Sequence, residues 1–553
     1  MKTSRGGISR VVWAEALGVV LILLALYGCT ISANLCIAHD SIHYINTIDD
    51  GRNLYHPHHL LYAPVARLWV LTWRGLGAES VDSAALVASL NAVFGALTCG
   101  LVFVFCRTRL NLGRGQSLAG AGLAASSFGM WYYSVCVEVY VIPAFWLLVT
   151  LLILTRRRLG IGSCVAMGLT CGLAVLFHQT NVLFGLFVVT GVATAVGRPV
   201  RWRLLAIAAF IGTGMIVTCV PYAIVLLIFV EADSWSHAWH WLTDYAQGSQ
   251  WGAFTCATLP KAAIGFARSI VGGHFLFASP LLASTVDRFL GSHHLADERF
   301  LVRHMPAWQA WAYLATGVTA CVFVVLAVGR GLLGRLRGLT AEAPTRRLLV
   351  ILVGWLVVYA VFFAWWEPEN LEFWIAPSLA FWMSVLTVLS RAKRGWRLLA
   401  GAMVLLLATN LFGSILRLRS RDNDYHYHRI QPLAEAVREG DAIVVGRRWI
   451  WGDYLQRYTP AEVWCISDDA RAGDASGRLS GTIESTLAGG YRVFVTADAA
   501  GQGEDARREQ GDISSNHEPL WERYRLRWRT FEKQGCVFYV IEPDIPHVPW
   551  TRG

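Results

Sequence analysis

The chain has 553 residues, 55% of them apolar and only 16% charged, with a formal net charge of +10. Apolar runs near 20 residues recur, which excludes a soluble globular protein and reads as a polytopic membrane protein. The positive balance does not imply nucleic acid, because the arginines fall in short loops between apolar runs, where they fix topology.

Spans are predicted near residues 11–33, 85–106, 117–133, 138–155, 160–177, 180–197, 204–230, 308–329, 347–366, 373–390 and 397–416, about eleven in all. The first follows a short basic segment, Met1 to Arg10, and is too long for a signal-peptide core, so it is read as retained. The basic clusters Arg107/Arg109/Arg114, Arg156/Arg157/Arg158, Arg198/Arg201/Arg203, Arg330/Arg335/Arg337/Arg346/Arg347 and Arg391/Lys393/Arg394/Arg397 all fall on the side of the basic N-terminus. The positive-inside rule makes that side the cytoplasm of an inner (plasma) membrane protein. The opposite short loops, Met130 to Val137, His178 to Gln179 and Glu367 to Glu372, contain no Lys or Arg.

Three long segments are then expected outside: 34–84, 231–307 and everything after about 417. The first two are dense in Trp, Tyr and His (His56, Tyr62, Trp69, Trp73; Trp235, Trp239, Trp241, Trp251), as expected of amphipathic helices lying at the interface. The expected domains are a transmembrane part, 1–416, and a small extracytoplasmic α/β domain, 417–553. In the latter, strands are predicted at Asp441 to Gly446, Ala461 to Ser467 and Tyr491 to Thr496, with helices at Trp451 to Tyr458 and Leu479 to Leu487. Two last strands, about 525–532 and 536–541, join through Gln534-Gly535 as a hairpin. No GxGxxG follows the first strand, so no dinucleotide cofactor is assigned. Seven of the twelve cysteines lie in or at the ends of spans and none forms a CxxC; only Cys465 and Cys536 share the soluble region, where a disulfide is open.

Four polar clusters and one carboxylate-rich loop fall on the outer side. Asp40, in Ala38-His39-Asp40-Ser41, is placed either to take a proton from an attacking hydroxyl or to cap the helix predicted at Ile42 to Ile48. His56-Pro57-His58-His59 offers three imidazoles near one helix start, but His58 and His59 would diverge on a helix and no HxxxH pairing exists. A divalent metal is therefore possible but not favoured, against substrate contact or a turn fixed by Pro57. Glu138 opens an apolar span, either as a functional carboxylate or as a snorkelling boundary residue. His178 and Gln179 end the fifth span. Trp365-Trp366-Glu367-Pro368-Glu369-Asn370-Leu371-Glu372 packs carboxylates beside aromatics, suited to sugar hydroxyls or simply a solvated loop.

The order of an Asp-containing first outer loop, His-Pro-His, "SLNAVFGAL", "CVEVYVIPAFW" and "GLAVLFHQTNVL" resembles the GT-C superfamily of polyprenyl-phosphate-sugar-dependent glycosyltransferases. Within it, Glu-Val-Tyr and His-Gln are similar to the protein O-mannosyltransferase-like branch. The likeness is good over about residues 11–200, architectural over the later spans, and slight in the tail. It implies transfer of one sugar from a polyprenyl-phosphate donor to a protein, lipid or glycan acceptor, with Asp40 as general base and His39, His56, His58, Glu138, Tyr140, His178 and Gln179 as substrate contacts. Where the family has a second acidic residue or a Gly-Asp pair, this chain has His39-Asp40-Ser41. Because the leaving phosphate is already charged, single displacement with inversion needs cations more than a general acid. Arg52, Arg67, Lys261, Arg268 and His274 are candidates for the phosphate, and Glu367 and Glu369 for the sugar. A transporter or flippase of a lipid-linked solute is the alternative, which predicts broken helices and ionisable residues at mid-membrane. An oligosaccharide ligase is a further one.

Overall fold

In hydrocarbon every backbone polar group must be satisfied within the protein, so apolar runs of this length become helices. The computed structural model describes residues 9–156, 158–195, 197–243, 252, 254–290, 295–337, 343–390, 395–446, 448–466, 475–500, 528–533 and 536–542. Arg157, Trp251, the Arg391 to Arg394 cluster and the Gln534-Gly535 turn lie outside the described residues. The chain forms two compact units: Met1–Asn34 with Thr47–Ser420, and Leu35–Asn46 with Arg421–Gly553.

The chain opens with α1 (Arg10–Gly28), then α2 (Ser41–Asp50), α3 (Tyr62–Gly75) and α4 (Ser83–Thr108). There follow α5 (Arg114–Ser126), α6 (Phe128–Val135), α7 (Val141–Leu154), α8 (Ile161–Phe177), α9 (Gly185–Ala193) and α10 (Val200–Ile228). Four shorter helices, α11 (Trp235–Thr243), α12 (Thr258–Ile270), α13 (Pro280–Leu290) and α14 (Ala296–Leu301), lead to α15 (Ala307–Arg337), α16 (Ala343–Trp366), α17 (Ile375–Leu389), α18 (Gly395–Asn410) and the single turn α19 (Leu416–Leu418). Among the described residues seven stretches are long and apolar enough to cross a membrane, and three shorter apolar helices accompany them. Together with the α5 and α6 pair they occupy all eleven predicted spans, and the protein is an integral membrane protein. The first span ends at Gly28, short of the expected residue 33.

The third predicted span is interrupted at Ser127, whose backbone is extended. Side chains from α18 and α17 hydrogen-bond at the break. Asn410 Nδ2 donates to the Ser126 carbonyl at 2.7 Å and the Ile270 carbonyl at 2.9 Å, while its Oδ1 accepts from the Gly272 N–H at 3.1 Å. Trp382 Nε1 donates to Ser127 Oγ at 2.8 Å. The buried Asn410 amide joins α5, α12 and α18 at one point, and Trp382 ties α17 to the same break. Packing of α8 on α10 depends on small residues: a Cβ at Gly168 would lie 2.5 Å from the Phe210 carbonyl oxygen and 2.8 Å from Thr213 Cβ.

In the second unit α20 (Tyr425–Ala436), α21 (Asp453–Tyr458) and α22 (Ala475–Ala488) accompany a five-stranded sheet. Its strands are β1 (Ala442–Val445), β2 (Glu462–Cys465), β3 (Val493–Thr496), β4 (Trp528–Lys533) and β5 (Cys536–Ile541), in the order β2-β1-β3-β5-β4. β1 pairs in parallel with β2 and β3, so it is flanked on both edges and reads as the unbroken apolar run Ala442-Ile443-Val444-Val445. β3, β5 and β4 pair antiparallel, and Lys533 opposite Cys536 is the register of the expected hairpin. The open disulfide is ruled out by this order. Cys465 and Cys536 sit on strands with two others between them, about 14 Å at the usual strand spacing and beyond the reach of a disulfide. Cys465 Sγ donates to the Gly446 carbonyl oxygen at 3.8 Å.

Candidate active site

In the first unit, the loop between α16 and α17 folds back on itself. Trp374 Nε1 donates to the Pro368 carbonyl at 3.0 Å, and Asn370 Nδ2 bridges Glu367 Oε2 at 3.1 Å and Glu372 Oε1 at 2.9 Å. Glu372 thus enters a short 3-10 turn (Leu371–Trp374) just ahead of α17, where the helix dipole favours a negative charge. Two phenols converge on it: Tyr140 donates to Oε1 at 2.8 Å and Tyr133 to Oε2 at 3.1 Å. Three neutral donors, Tyr133 from α6, Tyr140 just ahead of α7 and Asn370 from the same loop, orient the carboxylate.

Beside Glu372 lies a small cavity of about 20 Å³, room for about one water molecule as the side chains stand. Its polar lining is Tyr140, His178, Thr180, Asn181, Tyr359 and Glu372, and Phe363 and Phe373 supply aromatic wall. Phe363 and Phe373 stack at 4.9 Å, and the Tyr140 ring lies 5.0 Å from His178 and 5.7 Å from Phe373. Tyr359 donates to Asn181 Oδ1 at 3.3 Å, while Asn181 Nδ2 donates to the His178 carbonyl at 2.9 Å. His178 follows α8 in extended backbone and its Nδ1 meets Thr180 Oγ1 at 2.7 Å. Burial, with His58 and His56 nearby, pushes its pKa down to about 3, so the ring is neutral at physiological pH.

The His-Pro-His-His stretch forms a 3-10 turn (Pro57–His59) capped by His56, whose Nδ1 accepts from the His58 N–H at 3.2 Å. The His56 and His59 rings stack at 4.3 Å. The Pro57 carbonyl accepts from Gln179 Nε2 at 2.6 Å and from the Tyr222 hydroxyl, and Gln179 Nε2 also reaches Tyr222 Oη at 3.0 Å. Gln179 therefore ties the turn to the end of α8, next to the pocket. Burial lowers the His58 pKa to about 4 and holds His59 well below the usual imidazole range. Among the described residues no group of three or more His, Cys, Asp or Glu is arranged to hold a metal ion.

The structure brings Tyr140, His178 and Gln179 together with the His56 and His58 turn and the Glu367 loop. Glu138 is 1% exposed and does not snorkel; its Oε2 accepts from the Val139 N–H at 3.2 Å, and its carbonyl accepts from Asn91 Nδ2 at 2.8 Å. Glu369 pairs with Lys261 at 2.8 Å, and Arg268 pairs with Glu298. Arg67 donates to the Ile48 and Asp49 carbonyls, whereas Arg52 is exposed. His274 is buried against Ser414 Oγ at 3.2 Å, a packing position. Tyr133, Asn181 and Tyr359 were not among the sequence candidates; Glu372 and Thr180 stood in stretches singled out in the sequence but were not themselves assigned as contacts. The available signal for Glu372 was its place as the last carboxylate before the next span.

His39 and Asp40 belong to the second unit. Asp40 precedes α2 and its carbonyl accepts from the Tyr44 N–H at 2.9 Å, the geometry of a helix N-cap, with the side chain partly exposed. The His39 ring lies 6.4 Å from that of His426.

No family model matches the sequence, and no curated protein matches it. Among solved structures, the chain is similar to an oligosaccharyltransferase of Archaeoglobus fulgidus in complex with zinc and sulfate: 14% identity over 96% of this chain and 72% of that one, TM-score 0.46. It is similar also to ArnT of Cupriavidus metallidurans bound to undecaprenyl phosphate, with 13% identity over 97% of this chain and 99% of that one, TM-score 0.43.

Proposed function

We propose that this chain is a membrane glycosyltransferase that moves a sugar from a polyprenyl-phosphate donor to an acceptor on the outer face of the membrane. The observation that carries the reading is the cluster of side chains around Glu372. It offers a fixed carboxylate, two phenols, a neutral imidazole and stacked aromatic rings, the chemistry that holds sugar hydroxyls on one side and an apolar sugar face on the other. The His56 to His58 turn and exposed Arg52 are the proposed contacts for the lipid phosphate, since Arg67 and Arg268 are engaged elsewhere. The GT-C resemblance supplies the second half of the reading, Asp40 as base. Asp40 takes the proton of the acceptor hydroxyl as its oxygen bonds to the anomeric carbon. The bond from that carbon to the phosphate oxygen breaks with its electron pair going to the phosphate, giving an inverted glycoside and free polyprenyl phosphate.

Transport of an intact lipid-linked solute is the competing class. The break at Ser127 is the feature that favours it, but the freed backbone there is satisfied by Asn410. The test is purified protein in proteoliposomes loaded with a polyprenyl-phosphate sugar and an acceptor extract. Release of free polyprenyl phosphate together with a new glycoconjugate supports transfer. Movement of the intact lipid-linked sugar across the bilayer without release contradicts it.

A further inference from the structure

We infer that the C-terminal α/β unit positions the Asp40 segment, through hydrogen bonds that Asp424 and Asp453 make to both of its ends. The inference rests on the reading of Asp40 as the base. Residues Leu35–Asn46 belong with Arg421–Gly553 rather than with the helices on either side of them in sequence. At the start of the segment the Leu35 N–H donates to Asp424 Oδ2 at 2.9 Å, across a separation of 389 residues. The same oxygen accepts the Tyr454 hydroxyl at 2.7 Å, and Oδ1 accepts from the Tyr427 N–H at 2.9 Å, so Asp424 also caps α20. At the other end Asn46 Nδ2 donates to the Asp453 carbonyl at 2.8 Å, 407 residues away, and His43 Nδ1 lies 3.5 Å from Asp453 Oδ1.

Between these pins the segment is packed. Cys36, Ala38, Ser41, Ile42 and Ile45 are all buried, whereas Asp40 is partly exposed. His39 meets His426, whose ring sits 5.2 Å from Tyr425, 5.7 Å from Trp451 and 5.5 Å from Tyr454. A buried carboxylate is costly unless its acceptor sites are used, and Asp424 uses both oxygens on three donors. Its three partners come from the Asp40 segment, α20 and α21, so the carboxylate fixes the segment to the two helices at once. A general base contributes only when held within a few tenths of an ångström of its productive place, and a loop pinned at both ends by a folded unit meets that demand. Asp424, Tyr454 and Asn46 are positioning residues in this scheme, none of them touching substrate.

The test uses the full chain in detergent or proteoliposomes with Tyr454→Phe, Asn46→Ala, Asp424→Ala and Asp424→Asn. Two readouts are taken: hydrogen exchange of the peptide covering 35–46, and kcat and KM for sugar transfer. Expected are faster exchange in 35–46 with protection of β1 and β3 retained, and a kcat loss of about 10- to 100-fold at nearly unchanged donor KM. Asp424→Asn, which keeps one acceptor oxygen, recovers part of what Asp424→Ala loses. Unchanged exchange in 35–46 in Tyr454→Phe and Asn46→Ala overturns the clamp. Faster exchange with unchanged kcat overturns the positioning role. If Asp40→Asn is itself fully active, the base assignment has failed, and the exchange data then say independently whether the clamp exists.

Discussion

Glu372 is the carboxylate around which the candidate site is built. Its hydrogen bonds from Tyr133, Tyr140 and Asn370 fix both oxygens, and hydrogen bonds to a charged group are worth about 1.5–3 kcal/mol each. Glu372→Gln keeps the shape, loses the charge and turns one acceptor into a donor facing a phenol. It is expected to lower kcat/KM for transfer by about 10- to 100-fold, conversion of that energy at 1.4 kcal/mol per decade. Glu369→Gln breaks only a part-exposed pair with Lys261, worth about 0–1 kcal/mol, and is expected to cost no more than about fivefold. Equal losses in the two variants would remove the distinction drawn between the carboxylates. His178 gives a second residue-level expectation. Its pKa is about 3 folded against 6.5 for the free group, so between those values the unfolded chain binds more protons than the folded one. Stability therefore is full above pH 6.5 and falls as pH drops toward 3. The melting temperature in detergent should decline from pH 7 to pH 5, and His178→Gln should flatten that decline; a slope identical to wild type would show that His178 is not buried in its neutral form.

At the scale of elements, the α8 to α10 crossing is the place where composition and packing meet most tightly. Gly168→Leu would drive a side chain into the backbone of α10 at Phe210, and Gly172 faces Val217 in the same seam. The expected result is loss of the monodisperse detergent-solubilised species, while Gly162→Ala, at a glycine with open space around it, should purify as wild type. Most helices were legible because their apolar runs have span length and because Arg clusters bracket them. The interruption at Ser127 was not, since no Pro or Gly-Pro marks it and the deciding groups, Asn410 and Trp382, lie more than 250 residues away. Helix α20 escaped for the opposite reason: Tyr425-His426-Tyr427-His428-Arg429 has no apolar period, and the helix is set by the Asp424 cap. The β-strands of the second unit were legible as short apolar runs bounded by Gly and Asp, but strand order was not. That order is what separates Cys465 from Cys536.

For the whole molecule, the sequence reading kept residues 34–84 together with the membrane part, whereas packing assigns Leu35–Asn46 to the C-terminal unit. No local pattern announces this, because it is written in hydrogen bonds between residues 389 and 407 positions apart. The candidate site was legible in its parts with strong residue chemistry, Tyr140, His178 and the Glu367 to Glu372 loop. It was not legible in Asn181 and Tyr359, which look like ordinary span residues until the helices are assembled. The central claim is that the chain transfers a sugar from a lipid phosphate with Asp40 as base. The most direct measurement is the rate at which purified wild type and Asp40→Asn release polyprenyl phosphate from a polyprenyl-phosphate sugar in proteoliposomes containing acceptor, with both proteins matched in their solubilised size profiles. The account predicts release by wild type and a loss of about 10²- to 10⁴-fold in Asp40→Asn, the range for removal of a general base. Release at the wild-type rate by Asp40→Asn, or none by either protein, would contradict it.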